Sequence, residues 1–463
     1  MSTTTTRTTE QALEGLKTIL ADRLVTSQSV REHHSRDLSR FPAVLPDAVA
    51  FPQNEEEVAS IVRVCAENRV PIIPVGAVSS LDGHIIPVKG GVTVSTRDMN
   101  RIIEIRPEDM LAVVEPGVTR KQLNTALRAT GLMFPIDPGA DATIGGMAST
   151  RGSGTTAVRY GTMRENILAL RVVTPDGTVI HTGSRAKKSA TGYDLTHLYV
   201  GSEGTLGFIT ELTVRLHPIP EMVSSAICAF PDVQSAVETV IECVQYGIPV
   251  ARVEFLDEVA IGGVNAYSKL DLQVAPTLFF EFHGTPAWVA EQSQIAEEIS
   301  ANHNGTGFKW STDADERTKL WQARHDALWA ARALKPGCEV YGGDICVPIS
   351  RLAESIVAAS EDIAASFLTG QVIGHVGDGN FHTAYLIDPE KPEDYAEAER
   401  LADRMLERAL AVGGTASGEH GIGIGKLKFM RKEHGDAVDV MKRIKQALDP
   451  QGIMNPGKMG QEG

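Results

Sequence analysis

The sequence predicts a protein of the α+β class built from more than one domain. A chain of 463 residues is too long for a single small hydrophobic core, so two or three domains are expected. Apolar runs typical of strands alternate with helical patterns over the first 217 residues, and a second series of strands and helices begins at residue 221. The proline-containing run His217–Pro220 lies between the two series and is the predicted boundary.

The first series contains both helices and short strands. Residues 10–24 have the periodicity of an amphipathic helix, and Asn54 begins another through the pattern NEEEVASIVRVCAEN. The elements predicted after it are the strands Val70–Val75, Gly91–Ser95 and Leu111–Glu115, the helix Thr119–Thr130, a hairpin of Ile167–Val173 with Val179–His181 across the turn Asp176–Gly177, and the strand Leu198–Val200. Between Pro138 and Gly161 both periodicities fade, which predicts a glycine-rich loop whose backbone approaches a ligand closely.

The second series predicts an antiparallel sheet with helices packed on one face. Its predicted elements are the strands Ser225–Phe230, Ala251–Leu256 and Leu278–His283 and the helices Val233–Tyr246 and Ala287–Asn302. The run Leu448–Gly457 is rich in turn residues and too specific in composition for a disordered tail.

Composition and charge exclude several classes of function. Hydrophobic residues make up 42% and charged residues 22% of the chain, as in soluble globular proteins. No apolar run approaches the ~18–20 residues of a membrane span. The formal net charge of −15 argues against nucleic acid as the main partner and could favour a basic redox partner. The five cysteines are scattered without a C-x-x-C pair, which is typical of a reducing compartment. The N-terminus lacks a secretory apolar core, so a cytoplasmic protein is expected, with contact to a membrane left open.

The segment Gly374–His382, GHVGDGNFH, is the most informative stretch of the chain. A two-residue hairpin turn at Asp378–Gly379 would pair His375 with His382 on one face of two antiparallel strands. Opposed residues have Cβ atoms roughly 4.5–5.5 Å apart, which suits two imidazoles that bind one metal ion. Two ordinary histidines beside a surface hairpin are the alternative.

A third metal ligand could come from the run Ser417–Gly421. It contains Glu419, a carboxylate, and His420, another imidazole. Two histidines and one carboxylate leave coordination positions open, as in catalytic sites. Zinc is the first candidate, and manganese and iron(II) accept the same ligands.

Three loops of small residues indicate a dinucleotide. They are residues 76–83, residues 145–153 and residues 201–210. Each follows a predicted strand, and their unhindered backbone amides suit a pyrophosphate. Each loop alone could be ordinary chain punctuation. No strand is followed by G-x-G-x-x-G, so a nicotinamide-type fingerprint is absent. The run Gly421–Lys426 resembles a phosphate loop, but Leu427 stands where Ser or Thr is required.

The chain resembles the FAD-dependent D-lactate dehydrogenases of the cytochrome-linked type, within the vanillyl-alcohol-oxidase-like flavoprotein superfamily. The resemblance extends from about residue 40 to residue 459 and rests on motifs that occur in the family's order. These are GAVSSLDGH (76–84), VEPGVTRKQLN (114–124), FPIDPGADATIGGMAST (134–150), AVRYGTMREN (157–166), VGSEGTLGFIT (200–210), VARVEFLDE (250–258), GHVGDGNFH (374–382), SGEHGIG (417–423) and LDPQGIMNPGKM (448–459).

This resemblance implies a two-part flavin-binding domain of the PCMH type over residues 1–220. A substrate- and metal-binding cap domain, an antiparallel sheet with helices, would follow over residues 221–440, and residues 441–463 would return to the flavin. The residues implied to hold FAD are Val75, Gly76, Ala77, Val78, Ser79, Ser80, Leu81, Pro138, Gly139, Asp141, Thr143, Gly145, Gly146, Ser149, Gly152, Ser153, Tyr160, Thr162, Glu203, Gly204, Gly207, Ile209 and Asn455.

The resemblance also implies roles in the reaction. His375, His382 and Glu419 would bind the metal, Arg324 would bind the substrate carboxylate and His420 would be the catalytic base. Asn380 is a further candidate for substrate binding, or a cap of the hairpin. Arg324 lies in a helical pattern, where an arginine is most often solvated or ion-paired.

Two departures from the family refine these expectations. Members with covalent flavin carry a histidine where this chain has Val78 or Ser79, so the FAD is expected to be non-covalent. Relatives that oxidise 2-hydroxyglutarate have a lysine just before the position of Asp344. This chain has Gly342–Gly343 there, which favours a small D-2-hydroxy acid.

D-lactate is therefore the expected substrate, with electrons passing to a cytochrome, quinone or electron-transfer protein. A glycolate or broad-range 2-hydroxy-acid oxidase and a flavin subunit of a larger electron-transfer complex are the alternatives, and a non-redox synthase uses the same fold. A homodimer is left open. The expected location is cytoplasmic, with peripheral contact to the inner membrane as an option, or mitochondrial in a eukaryote.

Overall fold

The computed structural model describes residues 2–186 and 188–459. These residues form two compact units. The first unit contains residues up to 154, residues 161–219 and residues from 419 onward, and the second contains Thr155–Tyr160 and Pro220–Gly418. The chain thus returns to the first unit at residue 419, whereas the resemblance implies a return at residue 441.

The helices of the structure include those that the sequence predicted. In chain order they are α1 (Ser2–Leu20), α2 (Gln28–His33), α3 (Glu55–Asn68), α4 (Arg120–Leu127), α5 (Ile144–Thr150), α6 (Ala157–Tyr160), α7 (Met163–Asn166), α8 (Leu195–Tyr199), α9 (Val233–Gln245), α10 (Glu258–Ser268), α11 (Pro286–Asn302), α12 (Ala314–Leu334), α13 (Leu352–Ala364), α14 (Pro392–Ala411), α15 (Met430–His434) and α16 (Ala437–Leu448). In the described part of the chain, none of these helices has both the length and the apolar character that crossing a membrane requires.

The strands are short in the first unit and longer in the second. In chain order they are β1 (Leu24–Val25), β2 (Ala48–Ala50), β3 (Ile72–Val75), β4 (Val92–Ser95), β5 (Ile102–Arg106), β6 (Leu111–Val114), β7 (Leu132–Met133), β8 (Ile167–Val173), β9 (Val179–His181), β10 (Phe208–Arg215), β11 (His217–Pro218), β12 (Met222–Ala229), β13 (Val250–Leu256), β14 (Thr277–Gly284), β15 (Thr306–Ser311), β16 (Glu339–Cys346), β17 (Thr369–His375) and β18 (Asn380–Ile387).

Two larger sheets form the first unit. One has the strand order β1-β2-β4-β3, and β4 pairs in parallel with both β2 and β3. The other has the order β5-β6-β10-β8-β9 and is antiparallel. The buried faces of α1 and α3 pack in one core with Val92 and Val94 of the parallel sheet. Asn54 begins α3 as predicted, because its side chain accepts a hydrogen bond from the Glu57 amide.

The second unit is built on one seven-stranded antiparallel sheet. Its strand order is β15-β12-β14-β13-β17-β18-β16. Helices α10 and α12 bury their small apolar faces in a core with Phe279 of β14 and Trp321. The sheet places the ends of β13, β16, β17 and β18 beside one another, and the candidate site of this unit lies there.

Three local predictions were wrong. Residues 198–200 were predicted as a strand, but α8 occupies Leu195–Tyr199 because Asp194 accepts a hydrogen bond from the His197 amide and caps a helix. The run 138–161 is not a continuous loop, since it contains α5 and α6. The first helix ends at Leu20 instead of residue 24, and a short turn leads from it into β1.

Candidate functional site

The hairpin β17–β18 has a longer turn than the sequence predicted. His375 pairs with Asn380, and His382 pairs with Ile373, so the predicted direct pairing of the two histidines was wrong. A single turn of 3-10 helix (Val376–Asp378) and the left-handed Gly379 connect the strands. The change of register is an even number of residues, so both histidines still lie on the same face, as diagonal neighbours. Their ring centroids are 5.3 Å apart.

Each of the two imidazoles has a buried carboxylate beside its Nδ1 atom. His375 Nδ1 is hydrogen-bonded to Glu254 Oε1 at 2.7 Å, and His382 Nδ1 lies 3.6 Å from Asp344 Oδ1. A carboxylate on one ring nitrogen holds the proton there and leaves the other nitrogen as a metal ligand. This donor set fits a divalent cation that accepts imidazole nitrogen.

Glu254 connects His375 to Arg324. Its second oxygen, Oε2, accepts a hydrogen bond from Arg324 Nε at 2.7 Å, and the side chain of Glu254 is 0% exposed. Burial alone would raise the pKa of Glu254, but the neighbouring His375 and Arg324 outweigh it and the pKa lies below its ordinary value. Glu254 is therefore a carboxylate, and the bond to Nε leaves the terminal nitrogens of Arg324 for a second carboxylate.

Asn380 is anchored by its amide group. Its Nδ2 donates to Asp344 Oδ1 at 2.8 Å and to the Ile345 carbonyl at 2.6 Å. Asp344 also accepts a hydrogen bond from Ser417 Oγ at 2.9 Å through Oδ2. Among the described residues, the buried Oδ1 of Asn380 has no hydrogen-bond partner, which makes it an available acceptor.

Glu419 and His420 lie in an irregular loop. The loop is the first stretch of the chain after the second unit. In the first unit, Ser153 Oγ donates to Glu419 Oε2 at 3.1 Å, and the Glu419 and His420 side chains are 3.9 Å apart at their nearest polar atoms. Gly421 follows with a φ of +82°, a conformation that favours glycine.

The loop after β3 and the start of α5 form a glycine-lined cradle in the first unit. A Cβ atom at Gly76 would overlap Thr143 Oγ1, which accepts the Gly146 amide and caps α5. A Cβ atom at Gly145 would meet the backbone of Pro116. Val78 has a φ of 59°, which is rare for a β-branched residue and marks a constrained loop. Backbone that is this free of side chains fits the close approach of a pyrophosphate.

A buried polar network closes the same region of the first unit. Glu203 accepts the amides of Ile422 and Gly423, and its Oε1 lies 3.3 Å from His84 Nε2. Asn455 donates to the carbonyls of His84 and Glu203. Burial lowers the pKa of His84, but the charge of Glu203 outweighs it and the pKa lies above its ordinary value.

The predicted cofactor residues all lie in the first unit except Tyr160, which belongs to the second unit and hydrogen-bonds His283 Nδ1 at 2.8 Å. Thr162 caps α7, and Ser80 Oγ donates to Asp37. Glu203 and Asn455 act inside the network rather than on an open surface. The residues Gly139, Leu81 and Asp141 are exposed.

Sequence reasoning missed the roles of Glu254, Asp344 and His84. Glu254 stands in the middle of the apolar strand Val250–Leu256, and an isolated charge in such a strand is a signal, since a buried carboxylate requires partners. The partners themselves lie 70 and 121 residues away in sequence. No local pattern identifies them.

Comparisons with known proteins cover nearly the whole chain. Residues 46–183 match the family "FAD binding domain", and residues 219–459 match "FAD linked oxidases, C-terminal domain". A protein of Danio rerio described as a probable mitochondrial D-lactate dehydrogenase is 48% identical over 98% of this chain and 92% of its own length. The mitochondrial D-lactate dehydrogenase (cytochrome) of Arabidopsis thaliana is also 48% identical, over 97% of this chain and 80% of its own.

Solved structures share the fold at low sequence identity. The crystal structure of p-cresol methylhydroxylase with substrate bound superposes with a TM-score of 0.80 at 18% identity, over 98% of this chain and 97% of that one. The predicted fold class, a two-part flavin-binding region followed by an antiparallel sheet with helices, is confirmed.

Proposed function

Because this chain belongs to the FAD-linked oxidase family, as its motifs predicted, we propose that it oxidises a small D-2-hydroxy acid, D-lactate to pyruvate, with FAD as the redox cofactor. Two relatives at 48% identity carry the name D-lactate dehydrogenase. The observation that carries the proposal in this chain is the buried Glu254, which joins a candidate metal ligand, His375, to a candidate carboxylate fork, Arg324.

FAD is proposed to bind in the first unit. The glycine-lined cradle of Gly76, Gly145 and Gly146 and the backbone of residues 203–209 would hold it. When bound, FAD supplies the acceptor for the hydride that leaves C2 of the substrate. The absence of histidine at positions 78 and 79 supports a non-covalent cofactor, which denaturation of the protein would release completely.

Arg324 is proposed to bind the carboxylate of the substrate. Glu254 fixes its Nε, so the guanidinium is oriented before substrate arrives, and a fork that is already ordered loses less entropy on binding. Gly342 and Gly343 supply no side-chain charge for a second carboxylate, which supports a monocarboxylic substrate.

A divalent metal is proposed to bind His375, His382 and Glu419, with zinc first and manganese or iron(II) as alternatives. In the second unit the two imidazoles share one face of the hairpin with ring centroids 5.3 Å apart, and the carboxylate of Glu419 is the proposed third ligand. When bound, the metal would polarise the hydroxyl oxygen of the substrate and make its proton easier to remove.

His420 is proposed to accept the proton of the substrate hydroxyl. An imidazole is suited to this task near neutral pH, and general-base help is typically worth about 10²–10⁴-fold in rate. Asn380 could orient the same substrate through its unpaired Oδ1, which would require a donor such as a hydroxyl group.

A cytochrome is proposed as the electron acceptor, with a quinone or an electron-transfer protein as alternatives. The support is the printed name of the Arabidopsis thaliana relative. Mitochondria are the proposed location if the source is a eukaryote, since both 48% identical relatives are described as mitochondrial.

The experiment that tests the function is anaerobic addition of D-lactate, L-lactate, glycolate or D-2-hydroxyglutarate to the purified protein. We expect D-lactate to bleach the flavin absorbance fastest and L-lactate to leave it unchanged. A colourless protein, or equal bleaching by both lactate enantiomers, would contradict the proposal. Faster bleaching by glycolate, with rapid reoxidation by oxygen, would favour a glycolate oxidase.

Two variants separate the proposed base from the proposed metal ligand. We expect His420→Ala to retain FAD and metal and to lose turnover by about 10²–10⁴-fold, because proton removal is then unassisted. Glu419→Gln should keep FAD and lose metal, measured by elemental analysis after dialysis. Normal turnover in the first variant or normal metal content in the second would refute the role assigned.

A further inference from the structure

Glu254 lies between His375, the proposed metal ligand, and Arg324, the proposed substrate-binding residue of the second unit. It is on β13, next to β17, and its side chain is fully buried. One carboxylate oxygen is 2.7 Å from His375 Nδ1 and the other is 2.7 Å from Arg324 Nε. Both oxygens are therefore used, each by a different partner.

We propose that Glu254 is a positioning residue that fixes the tautomer of His375 and the orientation of Arg324 together. This rests on the proposed function, in which His375 binds the metal and Arg324 binds the substrate carboxylate. Loss of the carboxylate would therefore weaken both metal binding and substrate binding, although Glu254 touches neither ligand.

The tautomer follows from the chemistry of the carboxylate. An ionised Glu254 can only accept, so His375 carries a proton on Nδ1, and in the neutral imidazole Nε2 is then the unprotonated nitrogen. A metal bonds to an unprotonated nitrogen, so the histidine is prepared for the metal before the metal arrives.

Glu254 also orients the guanidinium group of Arg324. Arg324 lies on α12 and its side chain is only 14% exposed, so an unpaired guanidinium there would carry a large desolvation cost. Glu254 neutralises this charge and binds one edge of the fork, which leaves its terminal edge for a substrate carboxylate.

Glutamine at position 254 cannot serve both partners. It has one acceptor oxygen and one amide that only donates. If the oxygen accepts from Arg324, the amide must donate to His375 Nδ1, which shifts the proton to Nε2 and blocks the ligand atom. If the oxygen accepts from His375, the amide opposes the Nε–H group of Arg324 and the fork loses its support.

The test compares Glu254→Gln with the unchanged flavoprotein. Titration of metal-free protein with Zn²⁺ or Mn²⁺ should show affinity about 10–100-fold weaker in the variant, as for other outer partners of metal-bound histidines. At saturating metal, KM for D-lactate should rise about tenfold, because a hydrogen bond to a charged group contributes about that factor in affinity. The value of kcat should change less.

A matched control exists on the adjacent strand of the same sheet. Glu281 is also buried and lies between a histidine and an arginine, with His283 Nε2 at 2.7 Å and Arg252 Nε at 3.3 Å. It contacts neither His375 nor Arg324 in these pairs. We expect Glu281→Gln to lower the free energy of unfolding in urea by about as much as Glu254→Gln does. Its metal affinity should change by less than about twofold, as expected for a conservative substitution.

A second measurement does not depend on the variant folding well. Nitrogen-15 NMR of histidine-labelled, metal-free protein reports which ring nitrogen of His375 is protonated, with His375→Gln used for the assignment. We expect the proton on Nδ1. A neutral His375 that carries its only ring proton on Nε2 in the unchanged protein would overturn the inference.

The outcomes separate this inference from the proposed function. If the unchanged protein binds no metal, the proposed metal site fails by itself. If it binds metal and Glu254→Gln binds with equal affinity and has an equal KM, Glu254 is structural and the inference fails while the function stands. Equal losses of metal affinity in the Glu254 and Glu281 variants would also overturn it.

Discussion

At the scale of single residues, a neighbouring side chain leaves no space for a residue larger than glycine at position 76. A Cβ atom there would overlap Thr143 Oγ1, the group that caps α5. The methyl group of alanine would therefore displace both the loop and the cap. Because this residue has no side chain, two segments that are proposed to bind FAD can pack closely against each other.

We expect Gly76→Ala to lose about 1–3 kcal/mol in the free energy of unfolding, from overpacking and a weakened cap. It should also retain less flavin after gel filtration. Gly262 on α10 is the control, since no heavy atom lies within 4 Å of a Cβ placed there. Gly262→Ala should be neutral or gain up to about 1 kcal/mol. Equal stability of both variants would contradict the tight contact at Gly76.

Protonation of His217 is expected to destabilise the folded protein in acid. Burial and the charge of Arg215 lower its pKa to about 4, and its Nε2 is hydrogen-bonded to Asn166 Oδ1. The folded pKa is below the unfolded value of about 6.5, so the folded state binds fewer protons between these values. The stability it contributes is complete above pH 6.5 and is lost as the pH falls from 6.5 to 4.

The expected loss is about 1–2 kcal/mol in urea unfolding between pH 6.5 and pH 4, which is less than the full linkage value because His217 is partly exposed. The control is His217→Gln, which does not titrate in this range. The variant should therefore show a shallower dependence on pH. Parallel curves for the two proteins would show that His217 does not contribute.

At the scale of secondary-structure elements, Asp257 links a helix to a strand. Its Oδ1 accepts the Ala260 amide and caps α10, and its Oδ2 accepts the Val372 amide of β17 at 2.6 Å. Burial raises the pKa of this carboxyl to about 7. One side chain thus satisfies two buried backbone donors in different elements.

We expect Asp257→Ala to lose about 2–4 kcal/mol at pH 8, because both donors are left without a partner. Asp257→Asn should lose about half as much, since its single oxygen satisfies one donor and no charge is buried. The control is Asp232, an exposed cap with one bond to the Ser235 amide, where alanine should cost about 1 kcal/mol. Similar losses for Asp257→Ala and Asp232→Ala would contradict the double role.

The elements differ in how well the sequence predicted them. The strands β8, β13 and β14 follow β-branched and aromatic runs, and their positions were predicted within two residues. Tyr199, the last residue of α8, is followed by Val200, and this pair favours a strand; the deciding signal was the cap at Asp194. In α5, Gly145 and Gly146 lower helix propensity, and the helix forms because its buried face packs in the core.

The candidate site was predicted in part for a similar reason. The two histidines of the hairpin share a face because side chains alternate along a strand, and this survives a change of register by an even number of residues. The carboxylates that orient them come from β13 and β16, which are distant in sequence. Their pairing depends on sheet order, and sheet order has no local signal.

At the scale of the whole molecule, the net charge of −15 bears on the proposed acceptor. A strongly acidic protein attracts a basic partner over long range, and salt screens this attraction over a Debye length of about 8–10 Å near physiological ionic strength. The attraction affects the rate of encounter more than the strength of the final contact.

We expect the reduction of a basic cytochrome c by D-lactate to slow several-fold between low and 0.3 M NaCl, since the association rate is electrostatic. Reduction of an uncharged dye by the same enzyme should change little, which controls for effects of salt on the active site. Initial rates at fixed D-lactate measure both. A rate with cytochrome c that does not depend on salt would exclude a general electrostatic attraction.

Residues 453–455 belong to the first unit and contact a strand that is far away in sequence. Ile72 of β3 donates its amide to the Ile453 carbonyl and accepts from the Asn455 amide, so residues 453–455 lie against the sheet that begins near the N-terminus. During translation these residues leave the ribosome long after β3. The second unit is complete in sequence by residue 418, so it is free to fold while synthesis continues. The contacts between β3 and residues 453–455 can therefore form only late in synthesis, after the whole second unit has been made.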